Sequence, residues 1–124
     1  MKKILIVEDD QFLMDIYATK LREEGFAVEE ATNGEMAFEK LRESQPDLIL
    51  LDIILPMQEG FEILKEIKSD EKFKNLPIIT ISNLGQREDI KKGLSLGAVK
   101  YLVKADYTPS QIVKEIKKIL RSTN

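Results

Sequence analysis

Three consecutive acids, Glu8-Asp9-Asp10, an isolated Asp52, a serine at 82 and a lone Lys104 are the residues of this chain whose placement asks for a chemical explanation. Each follows a short apolar run: Lys3 to Val7 before the acids, Leu48 to Leu51 before Asp52, Leu76 to Ile81 before Ser82, and Tyr101 to Val103 before Lys104. Apolar, β-branched runs of this length read as strands buried on both faces. An ionised carboxylate at the end of such a run is costly unless it is paired, bound to metal, or placed where solvent returns. Pro56 and Gly60 mark a loop just beyond Asp52, so the last condition is available. Taken singly, each residue has a plainer reading. Asp52 could cap the loop or the helix after it, Ser82 a helix, and Asp10 could be a helix first-turn acid favoured by the dipole. Lys104 could be a solvated lysine and Tyr101 a half-buried strand tyrosine.

Their shared position at strand ends supports a joint reading. In a parallel sheet the carboxyl ends of the strands lie on one edge, and ligands bind outside that edge. Clustered carboxylates repel and raise one another's pKa, and a hard divalent cation relieves the repulsion. The chain has no histidine and no cysteine, which excludes imidazole bases, thiol nucleophiles, disulfides and soft metal sites. Any metal must be held by oxygen, which selects magnesium, calcium or manganese. Magnesium takes one or two carboxylates and bridges to phosphate oxygens, while an ammonium and a hydroxyl suit phosphoryl oxygens. The set describes a carboxylate nucleophile, a cation that shields an incoming phosphoryl group, and two groups that hold it afterwards.

The elements that must position these residues alternate along the chain. After the first strand, Phe12, Leu13, Ile16, Tyr17 and Leu21 fall at helical spacing, and Gly25 supplies a stop. A weaker strand over 26–31 leads through the turn Thr32-Asn33-Gly34 to a helix carrying Met36, Ala37, Phe38 and Leu41. Phe61 to Ile67 forms a third helix with Ile63, Leu64 and Ile67 on one face, and a polar loop follows over 70–75. Ile90, Leu94 and Leu96 outline a fourth helix of low propensity, with Gly93 inside it and Gly97 ending it. Ile112, Val113, Ile116, Ile119 and Leu120 form the buried stripe of the last helix, with Lys114, Lys117, Lys118 and Arg121 outside. Five strand-helix units with short connections predict an α/β fold, a five-stranded parallel sheet covered by helices on both faces.

A chain of 124 residues with 43% hydrophobic and 33% charged residues is one globular domain. The four apolar residues after Lys3 are too few for a signal sequence, and no uncharged run approaches the ~18 residues of a membrane span. These features predict a cytoplasmic protein without membrane partners. Net charge is −3 but uneven. Residues 1 to 90 carry 11 Lys+Arg against 20 Asp+Glu, and residues 91 to 124 carry 8 against 2. The basic end could face nucleic acid or an acidic partner, though a solvated helix face accounts for it.

Along its whole length the chain resembles the receiver domains of two-component response regulators, including the stand-alone chemotaxis type. The resemblance rests on ILIVEDD (Ile4 to Asp10), ATNGEMA (Ala31 to Ala37), PDLILLDIILP (Pro46 to Pro56) and YLVK (Tyr101 to Lys104), in that order. It implies a doubly wound, flavodoxin-like (βα)5 fold with strand order 2-1-3-4-5. It implies that Asp52 is the phosphoacceptor and that Glu8 and Asp9 are the acidic pair, Asp9 touching Mg2+ directly and Glu8 acting through water. The backbone carbonyl of Ile54 is then a further ligand, alongside Asp52 itself. Ser82 becomes the switch hydroxyl, Lys104 the phosphate-binding lysine, and Tyr101 the aromatic that turns inward on activation. The donor is the phosphohistidine of a separate histidine kinase or phosphotransfer protein. Residues 1–124 read as a single receiver domain without an output domain. Its output is then binding of a downstream protein on the face of the fourth helix, fifth strand and fifth helix, with no direct nucleic-acid contact. Such a domain is not an enzyme in the ordinary sense, since it catalyses only its own phosphorylation and slow dephosphorylation.

Three departures from the family pattern fall at four positions. Ala105 replaces the usual proline after the lysine, which predicts a trans Lys104-Ala105 bond, because cis costs ~2.5–4 kcal/mol before other residues. Glu59 stands where Asp or Asn is usual before Gly60, and Ile54 and Leu84 replace polar groups near the hydrolytic water. Three rival readings remain. A magnesium-dependent aspartyl phosphatase wants a second carboxylate two residues past the nucleophile, and Ile54 cannot serve. A flavodoxin-like electron carrier wants hydroxyls and glycines where Glu8-Asp9-Asp10 stand. A pseudo-receiver binds partners without phosphorylation.

Overall fold

Alternation along the buried strands divides the core in two. In the computed structural model, which describes residues 1–55 and 58–122, β1 (Lys3–Val7), β2 (Ala27–Ala31), β3 (Leu48–Asp52), β4 (Ile78–Ser82) and β5 (Lys100–Val103) pair in parallel. Their order is β2-β1-β3-β4-β5, the doubly wound arrangement expected. Helices α1 (Gln11–Glu23), α2 (Gly34–Ser44), α3 (Gly60–Ser69), α4 (Arg87–Ser95) and α5 (Pro109–Ser122) follow the strands in turn. Ile4, Ile6, Leu48, Leu50, Ile79, Ile81 and Leu102 pack under α1 and α5. Leu5, Val7, Ile49, Leu51 and Ile78 pack under α2 and α3. A strand covered on both faces has no solvent side, which is why these runs are apolar without interruption. Edge strand β2 is only half buried, and its Glu29 and Glu30 pair with Lys40 and Arg22.

Register aligns the strand ends. Val7 lies opposite both Ala31 and Leu51, Asp52 opposite Ile81, and Ser82 opposite Val103. The polar residues that follow or close these strands therefore meet on one edge of the sheet.

The structure amends the sequence reading in three places. Phe12 is not part of the buried stripe of α1 but 73% exposed. Met14, Tyr17, Ala18 and Leu21 form that stripe, and Phe12, two residues before Met14, faces away from it at 100° per residue. Leu94 likewise points outward at 45% exposure, and Gly93 is the buried residue of α4. Between β3 and α3, where Pro56 suggested only a loop, Ile54–Leu55 and Gln58–Glu59 form a two-residue antiparallel hairpin. Pro56 itself lies outside the described residues.

Candidate functional site

Period-two alternation decides which strand-end residues share a side. Glu8 continues the Ile4, Ile6 series, Asp52 the Leu48, Leu50 series, and Lys104 follows Leu102, so all three fall on the α1/α5 side. Lys104 opens a single 3-10 turn, Lys104–Asp106, and its ammonium donates to Glu8 Oε1 and Asp52 Oδ2, each at 2.8 Å. The second oxygen of each acid is held by backbone: Asp52 Oδ1 accepts the Ile54 N–H at 3.0 Å, and Glu8 Oε2 accepts the Asp10 N–H at 3.1 Å. Glu8 is fully buried and Asp52 is 3% exposed.

Two acids face one lysine, so the cluster carries an excess negative charge. Burial pushes the Glu8 carboxyl up from 4.5 to about 7, opposed by its bond to Lys104 and reinforced by Asp52. Burial alone would lower the Lys104 ammonium, but its bonds to Asp52 and Glu8 outweigh that and hold it above its ordinary value. A buried carboxyl with a raised pKa favours the protonated folded state, so its contribution to stability is full below pH 4.5 and lost as pH rises through about 7. The urea midpoint of the parent chain is therefore expected to fall across that window relative to Glu8→Gln. Parallel pH profiles for the two proteins would remove the assignment.

Asp9, unlike Glu8 and Asp52, is exposed. Glu8, Asp9 and Asp52 each offer a carboxylate oxygen within 4.8 Å of the others. Three hard oxygen donors with surplus negative charge fit magnesium. Asp10 does something else: its Oδ1 accepts the Phe12 and Leu13 N–H groups at 3.0 and 3.2 Å, so it is the N-cap of α1.

Ser82 falls on the opposite side of the sheet, because Ile79 and Ile81 face α1 and α5. It is fully buried, and its Oγ accepts the Leu84 N–H at 3.0 Å. Tyr101, opposite Thr80, lies inward against Ile53 and Phe61, and its hydroxyl donates to the Leu84 carbonyl at 2.7 Å. Leu84 thus links the two residues expected to form the switch. The described peptide bonds include no cis bond, so Lys104-Ala105 is trans as expected.

Gly60, which the sequence marked only as a loop residue, has a positional role. A Cβ there would stand 2.7 Å from the Asp52 carbonyl oxygen, so its absence lets α3 start against the backbone that carries Asp52. Glu59 occupies the α3 N-cap position without a side-chain capping bond. Ile54, 53% exposed, and Leu84, 38% exposed, line a hollow of about 140 Å³ with Ile53, Leu55, Glu59 and Phe61.

The family model described as the response regulator receiver domain matches residues 4–117. The chain belongs to this family. Among its relatives, a transcriptional regulatory protein CpxR homolog of Haemophilus influenzae is 41% identical over 121 residues, 98% of this chain and 51% of that protein. The phosphate regulon transcriptional regulatory protein PhoB of Escherichia coli is 33% identical over 120 residues, 97% of this chain and 52% of that protein. The chain spans about half the length of these relatives. A solved two-component response regulator from Clostridium difficile matches with a TM-score of 0.92 and 29% identity over all of this chain and 99% of its own. The phosphorylated cyanobacterial phytochrome response regulator RcpA matches at 0.87 with 34% identity, covering 99% and 96%. Receiver domains serve phosphorylation-dependent two-component signalling opposite histidine kinases, and membership sets aside the electron-carrier and phosphatase readings. No helix among the described residues is long and apolar enough to cross a membrane.

Proposed function

We propose that Asp52 accepts a phosphoryl group from the phosphohistidine of a separate kinase or phosphotransfer protein, and that the phosphorylated domain then binds a downstream protein. The observation that carries this reading is Lys104 held at 2.8 Å from both Glu8 and Asp52, with Asp9 beside them. A carboxylate oxygen of Asp52 forms the new O–P bond as the P–N bond to the donor imidazole breaks, and the leaving imidazole takes up a proton. Glu8, Asp9, Asp52 and the Ile54 carbonyl would hold magnesium, which when bound offsets negative charge on the phosphoryl oxygens. Lys104 exchanges its carboxylate partners for a phosphoryl oxygen. Ser82 turns from accepting the Leu84 N–H to donating toward the new group, which shifts the segment after β4, α4 and Tyr101 between two states.

In this reading the domain acts in the cytoplasm and signals through the face of α4, β5 and α5, without contacting nucleic acid itself. The test is intact mass after incubation with acetyl phosphate, with and without magnesium. One phosphoryl group should be gained only with magnesium, and fragment masses should locate it in 48–60. No gain under either condition would leave the chain a pseudo-receiver that binds partners unphosphorylated.

A further inference from the structure

Gly93 lies within the nine-residue helix α4, where glycine is the poorest helix former short of proline. Its backbone does not require glycine, since the described glycines with positive φ are Gly25 and Gly97. What position 93 requires is space. A Cβ on Gly93 would stand 2.6 Å from Cδ2 and 3.1 Å from Cε2 of Tyr101, and 3.6 Å from Cε1 of Phe61. The first of these is closer than real Cβ contacts allow, so the tyrosine ring is seated in a notch that a single methyl group would fill.

The ring has little room to yield sideways. It packs against Ile53 and Phe61, with Ile90, Leu96 and Val103 around it, and Phe61 itself carries the Lys92 ammonium 4.6 Å from its ring centre. A rigid ring so enclosed escapes only by rotating out about χ1. That rotation breaks the hydroxyl bond to the Leu84 carbonyl, and the Leu84 N–H is the group on Ser82 Oγ.

We infer that Gly93 is a positioning residue: its missing side chain admits the ring of Tyr101 and so couples α4 to the segment that follows Ser82. The inference rests on the reading of Ser82 and Tyr101 as the switch, but the contact it names stands on geometry alone.

The chain has three tyrosines, so uniform 3-fluorotyrosine labelling produces three fluorine signals, and Tyr101→Phe assigns the one needed. A soluble paramagnetic chelate should broaden the Tyr101 signal several-fold more in Gly93→Ala than in the parent. Equal protection in both proteins overturns the inference. Thermal midpoints provide a second, independent readout. Gly93→Ala should lower the midpoint when Tyr101 is present and raise it in a Tyr101→Ala background, where only the better helix propensity of alanine remains. A shift of the same sign in both backgrounds also overturns it. If the parent fails to take up a phosphoryl group from acetyl phosphate, the proposed function falls while the fluorine and midpoint results still judge the notch.

Discussion

Asp52→Asn is expected to abolish the magnesium-dependent mass gain and to leave the domain at least as stable as the parent. The amide oxygen is too weak a nucleophile to form the acyl phosphate, so the loss should be complete rather than partial. The fold should tolerate the change because asparagine matches aspartate in shape and keeps an oxygen for the Ile54 N–H, now 3.0 Å from Asp52 Oδ1. The charge balance also improves. Lys104 serves two buried carboxylates in the parent, and removing one leaves a one-to-one pair with Glu8. Relief of that repulsion is worth on the order of 1 kcal/mol. Intact mass and a urea melt check the two halves separately. A variant that still gains a phosphoryl group places the acceptor elsewhere, and a variant clearly less stable than the parent contradicts the charge argument.

Ile54→Asn combined with Leu84→Glu should shorten the lifetime of the aspartyl phosphate by about tenfold or more. Hydrolysis needs a water in line with the phosphorus, and a side chain that hydrogen-bonds that water lowers the entropic cost of placing it. Ile54 and Leu84 each stand two residues beyond a site residue, and each donates its backbone N–H back to that residue's side chain. Both side chains are substantially exposed and flank the hollow over Ile53 and Phe61. They exclude water there but cannot orient it. A urea melt of the double variant separates a change in chemistry from a loss of stability. Decay of the phosphorylated mass in parent and double variant is the measurement. Equal rates would show that something other than water placement limits hydrolysis.

Apolar runs ending on polar residues were enough to read β1, β3, β4 and β5 from the sequence, because a strand covered on both faces leaves an unbroken hydrophobic signal. The α5 stripe was nearly as legible: Ile112, Val113, Ile116 and Leu120 are buried as their spacing requires, and Ile119 packs against them only partly buried. Phe12 and Leu94 were misplaced for one reason. An apolar residue beside a helical stripe is assigned to it by hydrophobicity, yet the angle around the axis decides burial. The hairpin after Asp52 left no sequence signal, since two residues per strand are too few to show a period.

Glu8, Asp52, Ser82 and Lys104 are legible in the chain as residues that close or follow strands, and so must gather on one edge once those strands run parallel. The tertiary structure alone decided how they divide. Alternation and register bring Glu8, Asp52 and Lys104 together on the α1/α5 side and leave Ser82 with Tyr101 on the other. Asp9 joins the carboxylates, whereas its neighbour Asp10 turns back to cap α1. Glycines 60 and 93 acquire their meaning only from the atoms that press against them. Local periodicity records which element a residue belongs to and which way it faces. The distance between residues 52 and 104, or between 93 and 101, depends on how the crossovers pack, and no local pattern carries that information.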